Sequence, residues 1–294
     1  MTRSGFVALA GRPNAGKSTL VNAVVGDKVA IVSDKPQTTR RAVRGVATRH
    51  DWQLVLVDLP GVQRPRDALT DRMQRRVQQE LADSDVALFV VNGEQEVGPG
   101  DRFIARALGG AGLPCVTAVN KIDLLDRART AAALAAAGEL EVQGEIFPIS
   151  AYSGAGVPDL VDALAVLLPE GPFLYPPEEH SDMPERVRLA ELVREQVLRR
   201  TREELPHAVE VDVEDVEDRG EGQPLVIRAR LWAESDSQKA ILIGAGGGMV
   251  KSIGTAARKE IEALTGRHVH LDLNVRVRKA WRRDDGLLDR LGID

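Results

Sequence analysis

The sequence predicts an α/β fold: a mostly parallel sheet with flanking helices, followed by a smaller α+β domain. The first observation is a glycine-rich stretch, GRPNAGKS at residues 11–18, which fits the phosphate-binding loop (P-loop) pattern G-x-x-x-x-G-K-[ST]. The second is an alternation of short apolar runs with helical patterns over residues 6–168, which is typical of parallel sheets. The third is a proline-rich break at residues 169–179, after which the pattern changes.

Composition narrows the class of protein. A chain of 294 residues with 43% hydrophobic content suggests about two domains with ordinary cores. It has no apolar run near the roughly 20 residues that span a membrane. We also expect no signal peptide, because the N-terminus leads directly into a strand-like segment. Cys115 is the only cysteine, which excludes a disulfide framework and fits a reducing cytoplasm.

The charge is unevenly distributed along the chain. The net charge of −5 gives no general attraction to nucleic acid. Residues 204–236 hold ten acidic and three basic side chains, whereas residues 239–283 hold ten Lys or Arg and three Asp or Glu. The second stretch therefore carries a local positive excess that the average over the chain hides.

The elements of the first domain follow from the apolar periodicity. The apolar runs predict strands near residues 6–10, 44–49, 54–58, 86–92, 115–120 and 146–150. The intervening patterns predict helices near residues 20–25, 68–81, 101–108, 128–137 and 157–168. In open α/β sheets ligands bind beyond the carboxyl ends of the strands, and the polar residues described next follow those ends.

The P-loop predicts a phosphate site. A glycine loop that opens a helix presents free backbone N–H groups and the positive end of the helix dipole to an anion. Lys17 would reach the β- and γ-phosphates of a nucleotide, and the Ser18 hydroxyl would hold Mg²⁺. A glycine-rich turn that matches by chance is the alternative, and the strand and helix patterns on either side disfavour it.

The strand at residues 54–58 ends in Asp58, which precedes Leu59, Pro60 and Gly61. D-x-x-G is weak evidence alone, since turns often contain Asp and Gly. After a P-loop, however, a strand-end Asp is suited to hold Mg²⁺. Gly61 could donate its N–H to a γ-phosphate, which would make the following segment a switch.

Two further strand ends predict a guanine site. Asp123, in the N-K-x-D stretch that starts at Asn120, has an acceptor-only carboxylate, which suits the adjacent N1–H and N2–H₂ donors of guanine. Asn120 and Lys121 would tie the base loop together. Ser150 and Ala151 close the last strand, where a backbone N–H could meet guanine O6.

A polar stretch at residues 33–41 lies between the P-loop and the second strand. Pro36 argues against a helix there. A threonine of this stretch could close over Mg²⁺ and the γ-phosphate, and a solvated loop is the alternative.

The order of these motifs resembles that of the translation-factor-related GTPases, and KPQTTR at residues 35–40 resembles the Era family in particular. The resemblance implies that Thr39 ligates Mg²⁺ and that Lys17, Thr39 and Gly61 serve catalysis. Val62 occupies the position where Ras-like proteins carry a water-orienting glutamine, so catalysis would run differently. Asn14 matches an asparagine linked to K⁺ coordination in kindred GTPases, and a cation there could supply the charge of an arginine finger. By position, the implied nucleotide-binding residues are Gly11, Arg12, Pro13, Asn14, Ala15, Gly16, Lys17, Ser18, Thr19, Asp58, Leu59, Pro60, Gly61, Val62, Asn120, Lys121, Ile122, Asp123, Ser150 and Ala151.

Beyond the prolines the pattern predicts a second domain. Its predicted elements are a helix near 186–201, strands near 207–216 and 225–232, helices near 238–243 and 249–264, and a strand near 268–277. The order α-β-β-α-α-β, with Gly-x-x-Gly between two helices, resembles a type II KH domain. The sequence YPPE at residues 175–178 also resembles the linker of the Era family.

A Gly-x-x-Gly turn lets a nucleic-acid backbone come close, and KH domains clamp about four nucleotides in this way. The predicted RNA-binding residues are Gly244, Ala245, Gly246, Gly247, Lys251, Arg258 and Lys259. Single-stranded RNA is the expected ligand, and DNA is not expected. The alternative is an ordinary glycine turn whose neighbouring basic residues only complement helix dipoles.

These observations predict an Era-type G domain at residues 1–169, a linker at 170–184 and a type II KH domain with a C-terminal tail at 185–294. The resemblance implies binding of GTP, GDP and Mg²⁺, GTP hydrolysis, and a role in maturation of the 30S subunit through the 3′ end of 16S rRNA. It also implies a cytoplasmic protein with peripheral contact to the inner membrane. Two alternatives stay open: a GTP- or GDP-gated RNA-binding switch with negligible turnover, and a tRNA-modification GTPase.

Overall fold

The computed structural model describes residues 2–35, 37–62, 65–218, 220 and 222–293. The chain divides into two compact units, one of residues 1–66 and 70–182 and the other of residues 67–69 and 183–294. The division at residue 182 falls inside the stretch for which the sequence predicts a linker.

The first unit is built on a six-stranded sheet with strand order β2-β3-β1-β4-β5-β6. Adjacent strands are parallel except β2 and β3, which are antiparallel, so the predicted mostly parallel sheet is confirmed. The strands are β1 Arg3–Ala10, β2 Val43–Thr48, β3 Trp52–Asp58, β4 Val86–Asn92, β5 Cys115–Asn120 and β6 Ile146–Pro148.

The helices of this unit cover both faces of the sheet. They are α1 Lys17–Val25, α2 Ala68–Ala82, α3 Pro99–Ala111, α4 Arg127–Gly138 and α5 Val157–Leu167. Successive residues of a strand point to opposite faces. Accordingly, Val7 and Leu9 of β1 join the apolar cluster with α1 and α5, while Ala8 and Ala10 join the one with α2 and α3. Because β1, β3, β4, β5 and β6 are parallel, their carboxyl ends lie at the same edge of the sheet.

The predicted strand at 146–150 is wrong at its C-terminal end. β6 stops at Pro148, and the N–H of Ser150 instead donates to the carbonyl oxygen of Ala155 at 2.8 Å. The Ile149 N–H still donates to the Val119 carbonyl at 2.9 Å, so the main chain turns away from β5 only at Ser150. Residues 151–153 form a turn beyond the carboxyl end of β6.

The segment of residues 172–182 is hydrogen-bonded to β2 and β3 of the first unit. Buried Gln53 accepts the N–H groups of Leu174 and Tyr175 at Oε1, at 2.7 and 2.9 Å, and donates from Nε2 to the Tyr175 carbonyl at 2.8 Å. Further along, the Val46 N–H donates to the His180 carbonyl at 2.9 Å. This part of the chain is therefore a fixed component of the first unit.

The second unit has a three-stranded sheet of order β7-β8-β9, in which β7 and β8 are antiparallel and β8 and β9 are parallel. Its strands are β7 Glu210–Glu217, β8 Leu225–Ala233 and β9 Val269–Val277. Its helices are α6 Glu185–Arg200, α7 Leu205–Ala208, α8 Asp236–Ile243, α9 Gly248–Thr265 and α10 Asp285–Arg290. The order α-β-β-α-α-β is confirmed, with α7 and α10 added to it.

The predicted strand at 207–216 is wrong at its start, because His207 and Ala208 belong to helix α7. Pro206 lies in the first turn of that helix, where a missing N–H costs nothing. Trp281 is fully buried and donates from Nε1 to the Ala208 carbonyl at 2.8 Å, which makes it a packing residue.

In the described part of the chain, no single helix combines the length and apolarity needed to cross a membrane. One pair of consecutive helices, bent by 44° between Asp236–Ile243 and Ala245–Thr265, reaches that length and composition jointly.

Candidate functional site

The P-loop lies between β1 and α1 and is held in place by a side chain from another strand. Asn120, at the end of β5, donates from Nδ2 to the carbonyl oxygen of Ala15 at 2.8 Å. Gly16 has φ +96°, and a Cβ on it would lie 2.2 Å from that amide nitrogen. Glycine is therefore required at residue 16 both for its backbone conformation and for the close approach of Asn120.

Lys17 is buried in the first turn of α1, and its Nζ donates to the carbonyl oxygens of Gly11 at 3.1 Å and Arg12 at 3.2 Å. Burial lowers the pKa of this ammonium, and the negative charge of Asp58 opposes that shift. The loop carbonyls thus accept the hydrogen bonds of the Lys17 ammonium, which phosphate oxygens would accept when a nucleotide binds.

The three residues assigned to Mg²⁺ converge at the end of β3. The Ser18 hydroxyl donates to Asp58 Oδ2 at 2.5 Å, the Thr39 hydroxyl donates to the same oxygen at 3.2 Å, and the two hydroxyls are 3.2 Å apart. The other carboxylate oxygen, Asp58 Oδ1, is buried without a hydrogen-bond partner in the part of the chain that is described. Burial raises the pKa of Asp58, and the neighbouring Lys17 lowers it. Two hydroxyls and a carboxylate with a free oxygen form the set of hard oxygen donors that Mg²⁺ prefers.

The base-binding motif is tied together by Asn120. Its Oδ1 accepts the N–H groups of Lys121 at 2.8 Å and Ala151 at 2.9 Å, so the N-K-x-D loop and the Ser-Ala turn are linked. The Ala151 N–H, a candidate donor to guanine O6, thus already has an acceptor. Asp123 is exposed and, among the described residues, has no hydrogen-bond or ion-pair partner. Lys121 pairs with Glu94 at 3.0 Å.

The two candidate switch segments flank the P-loop. Asn14, with φ +62°, donates from Nδ2 to the carbonyl oxygen of Asp34 at 2.6 Å. Gly61 lies against the ring of Pro13, 2.8 Å from the position of its missing Cβ. Val62 packs against the apolar cluster of α2 and α3. Pro36, on which the interpretation of the first switch partly rests, lies outside the described residues.

One contact of the P-loop involves a residue that belongs to none of the sequence motifs. Arg12 Nη1 donates to Oδ2 of Asp101 in α3 at 3.1 Å. Nothing in the local sequence around Asp101 distinguishes it from an ordinary acidic residue in the first turn of a helix. Only the folded chain brings these two residues together.

In the second unit, the turn between α8 and α9 contains three glycines in the left-handed region, with φ of +73° at Gly244, +59° at Gly246 and +80° at Gly247. A Cβ on Gly244 would lie 2.8 Å from Met249, whereas a Cβ on Gly246 or Gly247 would meet no atom within 4 Å. Ala245 and Gly246 are exposed. The tip of the turn is therefore open for close approach by a ligand.

The basic stretch is partly neutralised. Arg267 pairs with Asp218 at 2.6 Å, which lowers the pKa of that carboxyl to about 2, and Arg278 pairs with Asp284. Lys251 and Arg258, in contrast, line a groove between α9 and β9, together with Gly254, Thr255, His270 and Leu273. Lys259 follows on the same helix and is exposed. Lys251 thus lies in the first turn of α9, next to the glycine turn, whereas Arg258 and Lys259 lie further along the same helix.

Comparison with known proteins matches both units. A family model described as "50S ribosome-binding GTPase" matches residues 6–121, and a KH domain model matches residues 204–282. The chain is 47% identical to GTPase Era of Mycobacterium tuberculosis strain H37Rv over 294 residues, covering 98% of each chain. The chain belongs to the Era family of GTPases.

Solved structures of the Era family share its fold over the whole chain. A point variant of Aquifex aeolicus Era bound to GDP and AlF4⁻ is 35% identical, with a TM-score of 0.94 and coverage of 99% of both chains. Era in complex with MgGDPNP and nucleotides 1506–1542 of 16S ribosomal RNA is also 35% identical, with a TM-score of 0.95 and coverage of 100% of this chain and 99% of the other. The family assignment makes the chain a GTPase, and the G-domain and KH-domain fold classes are confirmed.

Proposed function

We propose that this GTPase binds GTP and GDP with Mg²⁺ in its first unit and binds 16S rRNA near its 3′ end through its second unit, in 16S rRNA processing and 30S subunit biogenesis. The observation that carries the nucleotide half is the convergence of Ser18, Thr39 and Asp58 beside the buried Lys17. The RNA half is supported by the open glycine turn and by the relative solved with 16S RNA. On this proposal residues 1–169 act as the G domain, 170–184 as the linker and 185–294 as the KH domain.

The residues of the first unit have separable roles. Lys17 and the backbone N–H groups of the P-loop would hold the phosphates. Ser18, Thr39 and Asp58 would hold Mg²⁺, which when bound neutralises charge on the β- and γ-phosphates. The Gly61 N–H would contact the γ-phosphate, and Asp123 would accept the N1–H and N2–H₂ groups of guanine.

A switch with very slow turnover is the second candidate function, and Val62 is the observation that favours it. Its side chain is apolar and packs into the cluster of α2 and α3, so it cannot orient an attacking water as a glutamine does. Single-turnover hydrolysis distinguishes a GTPase with turnover from a switch without it. If no product forms above the uncatalysed background over hours, only the switch function is supported.

We assign the positive charge that stabilises the transition state, which an arginine finger supplies in other GTPases, to a monovalent cation bound at Asn14. The Asn14 side chain is exposed in the phosphate loop, and its Nδ2 donates to Asp34, so its Oδ1 is the atom that would ligate the cation. We expect single-turnover hydrolysis to be faster in K⁺ than in Na⁺ at matched ionic strength, and Asn14→Ala to remove the difference. Equal rates for the unmodified protein in the two salts would contradict this assignment.

A cytoplasmic location with peripheral contact to the inner membrane is part of the proposal. The membrane contact rests on family resemblance alone, and a reducing compartment also fits the sole cysteine of the sequence, Cys115, which is buried. Fractionation of cells into soluble and membrane parts at low and high salt would test it.

The decisive experiment measures binding of a short single-stranded RNA that matches the 16S 3′ end. It compares the GDP-bound protein with the protein bound to a non-hydrolysable GTP analogue, at several stated salt concentrations, because phosphate contacts make affinity salt-dependent. Lys251→Gln should reduce the salt slope by about one contact. Weak binding in both states that does not differ from a scrambled RNA would refute the RNA half.

A further inference from the structure

The P-loop is held at two points by side chains that lie outside it. At its second half, Asn120 donates to the Ala15 carbonyl at 2.8 Å. At its first half, the Arg12 guanidinium donates to Asp101 at 3.1 Å. Asn120 belongs to the recognised base-binding motif, whereas Asp101 belongs to none of the motifs considered above.

Asp101 is placed for a role beyond capping its helix. Its side chain is only 3% exposed, although aspartate is rarely buried unless it is paired. A single oxygen, Oδ2, accepts both the N–H of Gly98 at 2.9 Å, which caps α3, and the Arg12 Nη1. The side chain of Arg12 lies against Gly100, where a Cβ would approach its Cδ to 3.3 Å. The first turn of α3 therefore binds the Arg12 side chain through both a hydrogen bond and van der Waals contact.

The main chain at Arg12 is itself part of the phosphate site. Its carbonyl oxygen accepts from Lys17 Nζ at 3.2 Å and from the Ala15 N–H at 3.3 Å. Movement of this residue would displace the lysine that reaches the phosphates. A charge-assisted hydrogen bond is stronger and more directional than a neutral one, so Asp101 is suited to fix this position before nucleotide arrives.

We propose that Asp101 is a positioning residue for nucleotide binding, which acts through Arg12 to hold the first half of the P-loop in its phosphate-binding conformation. The proposal rests on the proposed guanine-nucleotide binding of the same site. Its effect lies in the lifetime of the bound nucleotide, because a loop that is held in advance loses less freedom on binding.

The test is a double-mutant cycle on the full chain, with Arg12→Gln, Asp101→Asn and the double variant. The readout is the rate at which a fluorescent GDP analogue dissociates in the presence of Mg²⁺. Asp101→Asn keeps an oxygen that can cap α3, and Arg12→Gln keeps the cap intact, so at least one variant retains the fold. We expect each single variant to dissociate about three- to tenfold faster. The double variant should match the faster of the two, because both substitutions remove the same charge assistance between Arg12 and Asp101.

Asp284→Asn is the matched control, since Asp284 also caps a helix, α10, and pairs with an arginine, Arg278, but in the second unit. It should leave the dissociation rate unchanged. Arg12→Lys should restore part of the lifetime, because it keeps the charge but not the fork geometry.

Additive effects in the double variant would overturn the proposal. So would unchanged dissociation rates together with a lowered unfolding midpoint, since that combination describes a helix cap and nothing more. Failure of the unmodified protein to bind guanine nucleotide at all would instead refute the proposed function, and is read from the same experiment.

Discussion

Asp58 and Lys17 are both buried, and burial moves their pKa values toward each other: the pKa of the carboxyl is raised and that of the ammonium is lowered. A carboxyl whose pKa in the fold lies above its ordinary value of 3.8 stabilises the fold below that value. It loses this contribution as the pH rises through the raised pKa. At neutral pH the nucleotide-free site therefore holds charges at a cost, which Mg²⁺ and phosphate would offset.

Asp58→Asn should separate stability from function. The amide oxygen can still accept the hydroxyls of Ser18 and Thr39, so we expect the nucleotide-free protein to unfold within about 1 kcal/mol of the unmodified protein. Dependence of nucleotide affinity on Mg²⁺ should disappear. Denaturant titration and nucleotide binding with and without Mg²⁺ measure the two effects.

The raised pKa of Asp58 also predicts a pH dependence in the unmodified protein. The gain in nucleotide affinity from Mg²⁺ should weaken on acidification at a higher pH than for an ordinary aspartate, because protonation competes with the metal.

Asp123→Asn tests the base contact. The amide replaces one acceptor by a donor, which would face the donors of guanine, so we expect GTP affinity to fall by about a hundredfold or more. Affinity for xanthosine triphosphate should rise, since xanthine carries an oxygen in place of the 2-amino group. Competition binding with both nucleotides measures the change. Unchanged GTP affinity would remove Asp123 from the base site.

At the scale of elements, the glycine turn between α8 and α9 combines two kinds of glycine. Gly244 is required internally, because it has a positive φ and its missing Cβ faces Met249, whereas Ala245 is exposed. We expect Gly244→Ala to destabilise the second unit by about 1–3 kcal/mol. We expect Ala245→Asp to keep its stability but weaken RNA binding about tenfold or more, by placing a negative charge near phosphate. Thermal unfolding and RNA titration distinguish them, and equal RNA affinity for Ala245→Asp would place the RNA elsewhere.

The elements that the sequence predicted well are those with long, regular apolar periods. The central strands and the helices α6 and α9 could be predicted, because their buried faces require apolar residues at regular spacings. The short helix α7 was not predicted, because Pro206 lies in a helical turn that competes with an apparent strand pattern. The end of β6 was predicted too late, because Ser150 bonds to Ala155 in a turn that the apolar pattern does not reveal. Ser18, Thr39 and Asp58 come from three separate motifs and lie in contact. The pairing of Arg12 with Asp101, in contrast, joins residues 89 apart in sequence and carries no local signal.

At the scale of the whole molecule, residues 172–182 form the part of the first unit that leads into the second unit at residue 183. Residues 172–182 are bound to β2 and β3, and β2 begins at Val43, directly after the switch segment at 33–41. An ordered switch segment would therefore bias the strand to which the connecting chain is hydrogen-bonded. This arrangement predicts that RNA affinity responds to nucleotide state only while the connecting chain stays attached.

Gln53→Leu tests this dependence, because leucine fills a similar volume but cannot bond to the main chain of Leu174 and Tyr175. We expect a loss of about 1–3 kcal/mol in stability from the unpaired backbone groups. Nucleotide affinity should stay within about twofold, since Gln53 lies at the opposite end of β3 from Asp58. The difference in RNA affinity between the GDP form and the GTP-analogue form should shrink toward zero. Thr48→Val is the control, because it removes the other partner of the Gln53 amide, at 3.0 Å, and leaves the connecting chain attached. If Gln53→Leu preserves the full difference, the two units communicate by a route that does not involve residues 172–182.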